Sequence, residues 1–252
     1  KGGLYKVYNG NLLYHGCVPL KEDGNLKSVR IFGHTYKGKG LYEVLESYVR
    51  KGFYAMDSKE KERGKDIMWY IWLSENSPLF GKDKMATFER YFLAEKETHK
   101  EKKNPYYLLL EDEKVICHIL KEFGLENKDA HIINGHVPVK CKDGEKPIKC
   151  GGKVLVIDGG FSRAYQKETG IAGYTLIYNS YGLILAAHEP FESTEAAIEK
   201  ESDIHSDSTV VKRTLERKKV EDTDVGRYLK EQIADLEVLL AAYRSGVIAE
   251  RL

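Results

Sequence analysis

The sequence of 252 residues holds few of the features that mark special-purpose chains. There are only four cysteines, Cys17, Cys117, Cys141 and Cys150, and none forms a Cys-x-x-Cys pair. That excludes a zinc ribbon and leaves reduced thiols as the expectation. No run of about 18 apolar residues occurs, so no membrane-spanning helix is expected. Lys and Arg number 40 against 39 Asp and Glu, a formal net charge of +1. Lacking a strong basic field, the chain gives no reason to expect a nucleic-acid partner. Gly-x-Gly-x-x-Gly and P-loop patterns are missing, so nucleotide binding has no direct support. Internal repeats and low-complexity tracts are missing too. No secretory leader pattern opens the sequence, and it starts Lys1-Gly2-Gly3 rather than with Met, from which we expect part of a longer polypeptide.

What is present is enough for a sizeable core. The hydrophobic fraction is 42%, with 17 Tyr and 8 Phe, and the length suits one large domain or two small ones. A charged fraction of 31% implies several solvated helix faces. Near the start, LYKVY and LLYHGCV alternate around Asn9-Gly10 and predict two strands joined by a tight turn. Leu41, Val44, Leu45, Tyr48 and Val49 recur at helical spacing and predict a helix over 41–51 that Gly52 ends. A second helix is expected over 59–73, with Ile67 and Ile71 on one face and Met68 with Trp72 four residues apart on another. Further helices are expected over 83–95 and 111–123. Beyond them HIING and KVLVID read as short strands, and YTLIYNSYGLILAAHEPF as a hairpin turning near Asn179–Gly182. Ser193 should cap a helix carrying Glu195 in its first turn. The charged stretch 212–224 reads as a surface connector. A last helix starts near Asp222 or Asp224, with Val225, Leu229, Ile233, Leu236 and Leu240 as its expected buried stripe and Gly246 as its stop.

Two histidines share a setting. His15 and His136 each touch a glycine where a strand should give way to a loop. Functional groups gather at the carboxyl ends of strands in open α/β structures, glycine lets backbone approach an ion closely, and neutral imidazole is a good ligand for Mn, Zn or Fe. A histidine at a strand end is more often a hydrogen-bonded structural residue than a ligand, and spacing alone favours that reading over the metal one. Five lysines, Lys140, Lys142, Lys146, Lys149 and Lys153, follow His136 with only Asp143 and Glu145 against them. Such a loop could hold phosphate groups, although composition alone favours ordinary solvated lysines. IDGGFS, Ile157 to Ser162, reads either as the rim of a site or as a tight turn. His34, His99, His118, His188 and His205 read as structural or exposed, and no Ser-His-Asp or Cys-His set follows from spacing.

Longer strings carry more information. INGHVPVK, the run GEKPIKCGGKVLVIDGGFSRAYQKETGIAGYTLIYNSYGL, MWYIWLSENSPLFGKDKMATFERYF, NGNLLYHGCVPL and the closing DTDVGRYLKEQIADLEVLLAAYRSG together resemble class III fructose-1,6-bisphosphatases over essentially the whole chain. That family is similar to the calcineurin-like metallophosphatases, which hold two metal ions, typically manganese in this class, at strand ends of a two-sheet sandwich flanked by helices. The resemblance implies an α/β (α+β) fold: residues 1–200 form the C-terminal half of the sandwich, with a helical insertion over about 41–125, and 201–252 form a helical tail. It implies metal-ligand roles for His15 and His136, with Pro138 where many relatives have a second histidine. The earlier motifs of the family, Gly-Asp and Gly-Asn-His, occur nowhere in the chain. Asp129-Ala130-His131 and Asp203-Ile204-His205 have Asp-x-His spacing but lie in the wrong places and count as coincidence. The remaining ligands are therefore expected in a missing N-terminal half.

From the same resemblance come the remaining expectations. The reaction implied is hydrolysis of fructose 1,6-bisphosphate to fructose 6-phosphate and phosphate, a gluconeogenic step in the cytoplasm. Lys140 and Lys149 are the candidates for contacting substrate phosphate. This chain by itself should bind Mn²⁺ weakly, turn over no substrate, and expose an apolar edge that permits self-association. Two other readings stand beside this one: a phosphoprotein phosphatase, which would need arginines about the metal, and a helical interaction module centred on 222–246.

Overall fold

A computed structural model of the chain describes residues 2–159, 163–191, 193–199, 201 and 206–249, and only the backbone of 163–165. Two compact units emerge, Lys1–Thr175 with Ala186–Asp207, and Leu176–Leu185 with Ser208–Leu252.

The first unit is built on a five-stranded sheet. β1 (Tyr5–Tyr8) and β2 (Asn11–Tyr14) form the expected hairpin. Asn9 and Gly10 both take left-handed φ values, 48° and 76°, as a two-residue turn matched to strand twist requires. A small hairpin follows, β3 (Val29–Ile31) with β4 (His34–Tyr36), and His34 begins its second strand, exposed. Helices α1 (Gly38–Tyr54), α2 (Ser58–Leu73), α3 (Thr87–Phe92) and α4 (Glu113–Glu122) come next. Strands β5 (Ile132–Asn134), β6 (Ile148–Lys149) and β7 (Val154–Val156) complete the sheet in the order β1-β2-β5-β7-β6. β2, β5 and β7 run parallel, pairing Leu12 with Ile132 and Ile132 with Val154. Their carboxyl ends therefore lie side by side.

Two expected boundaries move for identifiable reasons. α1 runs through Gly52 to Tyr54 because Gly52 serves a helix crossing and not a stop: a Cβ on Gly64 of α2 would lie 2.2 Å from the Gly52 amide nitrogen. Only hydrogen side chains permit that approach. Residues 83–86 stay out of the expected helix over 83–95. Asp83 donates its amide to the Lys102 carbonyl at 2.9 Å and Ala86 donates to the Glu101 carboxylate at 2.8 Å, so a cross-connection takes the groups a helix would use.

The core forms where the sequence periodicities meet. Val29, Ile31, Leu41, Leu45, Ile67 and Ile71 make one buried cluster. Leu12, Ile132, Val154 and Leu155 are fully buried in the sheet. Tyr5, Tyr42, Phe123, Tyr14 and Tyr106 form a chain of ring contacts against it, edge-on except for the tilted Tyr14–Tyr42 pair, with Tyr14 and Tyr106 sharing a 2.7 Å hydroxyl contact. Met68 and Trp72 share a face of α2 as expected, but that face is exposed, as are Trp69, Phe88, Tyr91 and Phe92.

α5 (Arg163–Thr169) precedes β8 (Gly173–Asn179) and β9 (Gly182–His188), the expected hairpin. α6 (Thr194–Glu199) is capped by Ser193, whose hydroxyl accepts from the Ala196 amide at 3.0 Å. β10 (Ser206–Arg213) pairs with β9 in a sheet of order β10-β9-β8 and takes the start of the expected connector. In the second unit, α7 (Asp224–Arg244) begins on a Thr223 cap and ends before Gly246 at φ 76°. The stripe expected to be buried there is open: Val225, Leu229, Ile233, Leu236 and Leu240 are all exposed, and Gly226 is the one buried residue of the helix. A helix stripe buries only against a partner, and α7 packs on the short turn Val220–Asp222 before it. Among the described residues no helix is long and apolar enough to cross a membrane.

Candidate functional site

The carboxyl ends of β2 and β5 bring the two singled-out histidines together. His15 follows β2 by one residue, and His136 follows β5 by two. Backbone bonds carry the pairing past the strands, with the Gly135 amide donating to the His15 carbonyl at 2.9 Å and the Asn134 side-chain amide donating to the Gly16 carbonyl at 3.0 Å. The imidazoles end with His15 Nε2 3.0 Å from His136 Nδ1 and their ring centres 4.9 Å apart. His136 holds φ at +67°, a left-handed conformation that few non-glycine residues adopt. Such conformations cost energy and persist where the surrounding structure fixes them.

The second nitrogen of His136 is also engaged. Its Nε2 lies 2.9 Å from the Phe80 carbonyl oxygen. A carbonyl only accepts, so Nε2 carries the proton and Nδ1 presents a lone pair to the face shared with His15. His136 is half-buried, and burial first, then the neighbouring His15 and Lys82, push its pKa down, while the Phe80 carbonyl and Asp158 act the other way. The net effect favours the neutral ring, the form that binds metal. The 3.0 Å separation is a hydrogen bond between the rings in this structure, and it leaves the two facing nitrogens close enough together that both would reach a single ion. Among the described residues no cluster of three or more His, Cys, Asp or Glu side chains forms around them.

Electrostatics about the pair are balanced. Lys82 forms a 2.8 Å ion pair with Glu101. Although burial opposes its charge, Glu101 is held below the ordinary carboxylate range by Lys82, the Ala86 amide and Arg90. Asp158, two residues past β7, comes near Gly135: a Cβ there would lie 3.7 Å from Asp158 Oδ2. Its carbonyl accepts from the Val139 amide at 2.8 Å. Ile157 to Gly159 thus flank the histidine tip, and the rest of the IDGGFS turn lies outside the described residues.

The lysines fall at different places. Lys140 is exposed, and its backbone amide donates to the Glu145 carboxylate at 3.0 Å. Lys149 lies half-buried on β6 and lines a cavity of about 70 Å³ with Lys103, Tyr107, Asn134 and Gly135. A larger open groove of about 1060 Å³ lies along β1 and α1, lined by Tyr5, Lys39, Glu43, Glu46, Arg50 and Lys51 among others. Of the remaining histidines, His131 is buried and bonded to the Gly152 carbonyl, His99 to the Leu93 carbonyl, and His188 to Thr175 and Ser206, while His205 lies outside the described residues. Sequence reasoning missed Phe80, because a backbone carbonyl leaves no side-chain signal. It noticed Asp158 only as part of a turn.

Comparison with known proteins bears on the whole chain. The family profile described as "Firmicute fructose-1,6-bisphosphatase" matches residues 1–245. A relative from Clostridium beijerinckii, named fructose-1,6-bisphosphatase class 3 1, is 56% identical over 250 residues, 99% of this chain and 38% of that protein. Relatives named fructose-1,6-bisphosphatase class 3 are 56% identical in Clostridium novyi and 58% identical in Clostridium botulinum, with 100% and 99% of this chain covered and 38% and 37% of theirs. The chain spans a little over a third of the length of the curated relatives it matches. No solved structure matches.

Proposed function

The chain belongs to the Firmicute fructose-1,6-bisphosphatase family, and from that premise we propose that the protein containing it hydrolyses fructose 1,6-bisphosphate to fructose 6-phosphate and phosphate. The observation that carries the reading to particular residues is the 3.0 Å approach of His15 Nε2 to His136 Nδ1 at the ends of adjacent parallel strands. We assign both as ligands of one ion, manganese, in a dinuclear centre of the calcineurin-like type; imidazole nitrogen suits Mn, Zn and Fe alike. When bound, the metal pair supplies hydroxide at neutral pH and charge for the phosphoryl oxygens.

The protein's own side chains act by holding and orienting. His15 and His136 contribute neutral nitrogens and move no proton in the reaction. Neutral imidazoles bring no negative charge, which a centre for a phosphate monoester requires of carboxylates. Those ligands we place in the part of the relatives that this chain does not span. Lys140 and Lys149 remain our candidates for the substrate's phosphates, with Lys149 favoured by its cavity beside Asn134 and Gly135. The domain reading of 1–200 with an insertion over about 41–125 and a tail over 201–252 stands on the same footing. So does the cytoplasm, which four free cysteines suit.

The exposed stripe of α7 favours one addition, an interaction role for the tail that includes self-association. The test is a turnover assay with Mn²⁺ and fructose 1,6-bisphosphate on the longer protein. His15→Ala and His136→Ala should each lower kcat at least the roughly 100-fold that loss of even an outer-shell partner can cost. This chain alone should show no turnover. Full activity in both variants would refute the ligand assignment, and robust turnover by this chain would refute the placement of the carboxylates.

A further inference from the structure

Ser77 lies in the loop after α2 and is 0% exposed. Its hydroxyl donates to the Ile71 carbonyl at 2.6 Å and accepts from the amides of Leu79 at 3.1 Å and Phe80 at 3.3 Å. A hub of this kind ties the last turn of α2 to the peptide planes that follow and fixes their direction. Two carbonyls then leave the loop toward the strand tips. That of Pro78 accepts from the Cys17 amide at 2.9 Å, two residues past His15, and that of Phe80 accepts from His136 Nε2 at 2.9 Å. The seating is close: a Cβ on Gly16 would lie 2.4 Å from the Pro78 carbonyl oxygen and 3.2 Å from that of Leu79. Behind it, the Gly81 amide returns to the Ser77 carbonyl at 3.2 Å and the Asn104 amide donates to Gly81 at 2.9 Å.

We propose that Ser77 is a positioning residue: by fixing the Phe80 carbonyl it sets the tautomer and direction of His136, so that one loop of the helical insertion aims the imidazole pair. This rests on reading His15 and His136 as ligands of one ion. It carries a consequence for the protons. With the His136 proton on Nε2, the 3.0 Å ring contact requires His15 to carry its own proton on Nε2 in the metal-free chain. An ion that takes both facing nitrogens leaves the His136 proton in place and moves that of His15: one proton leaves Nε2 to water, and one arrives from water at Nδ1. His15 is exposed, so its ring can exchange protons with solvent once the ion displaces the contact to His136.

Long-range proton–nitrogen NMR on the histidine-labelled chain reads each tautomer directly, with Zn²⁺ as a diamagnetic probe. Both rings should be Nε2-protonated without metal, and Zn²⁺ should switch His15 alone to the Nδ1-protonated form. Ser77→Ala, checked for folding by near-ultraviolet circular dichroism, should turn His136 into a tautomer mixture and weaken Zn²⁺ about tenfold. Should Ser77→Ala not fold, Ser77→Thr, which keeps the hydroxyl, takes its place and should keep His136 on Nε2, and a Ser77→Thr chain with a mixed His136 tautomer would overturn the proposal. A His136 proton found on Nδ1, or a folded Ser77→Ala chain with unaltered tautomer and affinity, would overturn the proposal. Zn²⁺ binding that leaves both rings unshifted would overturn the ligand reading and this inference with it. None of these readouts needs turnover, so a longer protein inactive on fructose bisphosphate would refute the proposed reaction alone.

Discussion

The strand tips that carry the histidines and the tail helix α7 are opposites. β2 and β5 are only four and three residues long, yet hydrogen bonds donated by Gly135 and Asn134 and one accepted by the Phe80 carbonyl lock the residues beyond them. α7 is 21 residues long and has an unbroken apolar stripe, yet that stripe faces outward. Periodicity states which face an element can bury, while order at a given residue comes from partners distant in sequence.

The largest effect should separate the two regions directly. Leu12 is fully buried in β2, and Leu12→Ala should lower the unfolding free energy by about 3 kcal/mol. The same change at Leu236 of α7, 62% exposed, should cost less than about 0.5 kcal/mol. Denaturant unfolding of both variants checks this, and equal losses would erase the contrast. A next effect should appear in association. If the open stripe is an interaction surface between copies, sedimentation should depend on concentration, and Leu236→Glu should give a single monomeric species. A monomeric unsubstituted chain would leave the tail without that role.

A smaller effect should appear in acid. Glu101 has a folded-state pKa below its ordinary value of 4.5, so as pH falls the unfolded chain takes up the proton first. Its contribution is present above 4.5 and lost as pH falls through the lower folded value. Glu101→Gln should therefore flatten the acid slope of unfolding free energy, whereas Glu221→Gln beside α7 should change it little. Glu221 is also held low, by Lys230 and then Lys219, but it lies in open solvent where salt screens such pairs. An unchanged slope in Glu101→Gln would remove the Lys82–Glu101 pair from the stability of the first unit.

Much of this was readable in the sequence, for reasons that differ by element. The Asn9-Gly10 turn, the Ser193 cap and the Gly246 stop depend on local backbone chemistry, which residue type reveals. Ile67 and Ile71 are buried at their expected helical spacing. Gly52 misled because a glycine that ends a helix and one that lets two helices touch look alike in one dimension. β3, β4, β6 and β10 escaped notice because they are short or, like Ser206–Arg213, almost wholly exposed and so show no apolar alternation. Of the candidate site, the side chains of His15 and His136 were legible at their strand ends. The Phe80 carbonyl, and the Ser77 hub behind it, depend on how the chain folds back and leave no trace in residue type.

The claim that His15 and His136 face one ion is tested most directly by adding Mn²⁺ well below stoichiometry to the labelled chain and following histidine NMR signals. Both of these rings should broaden first and together, before exposed His34 and His118, and the loss of either ring by alanine substitution should spare the other. Broadening that begins elsewhere, or that strikes one of the pair while leaving its neighbour sharp, would contradict it.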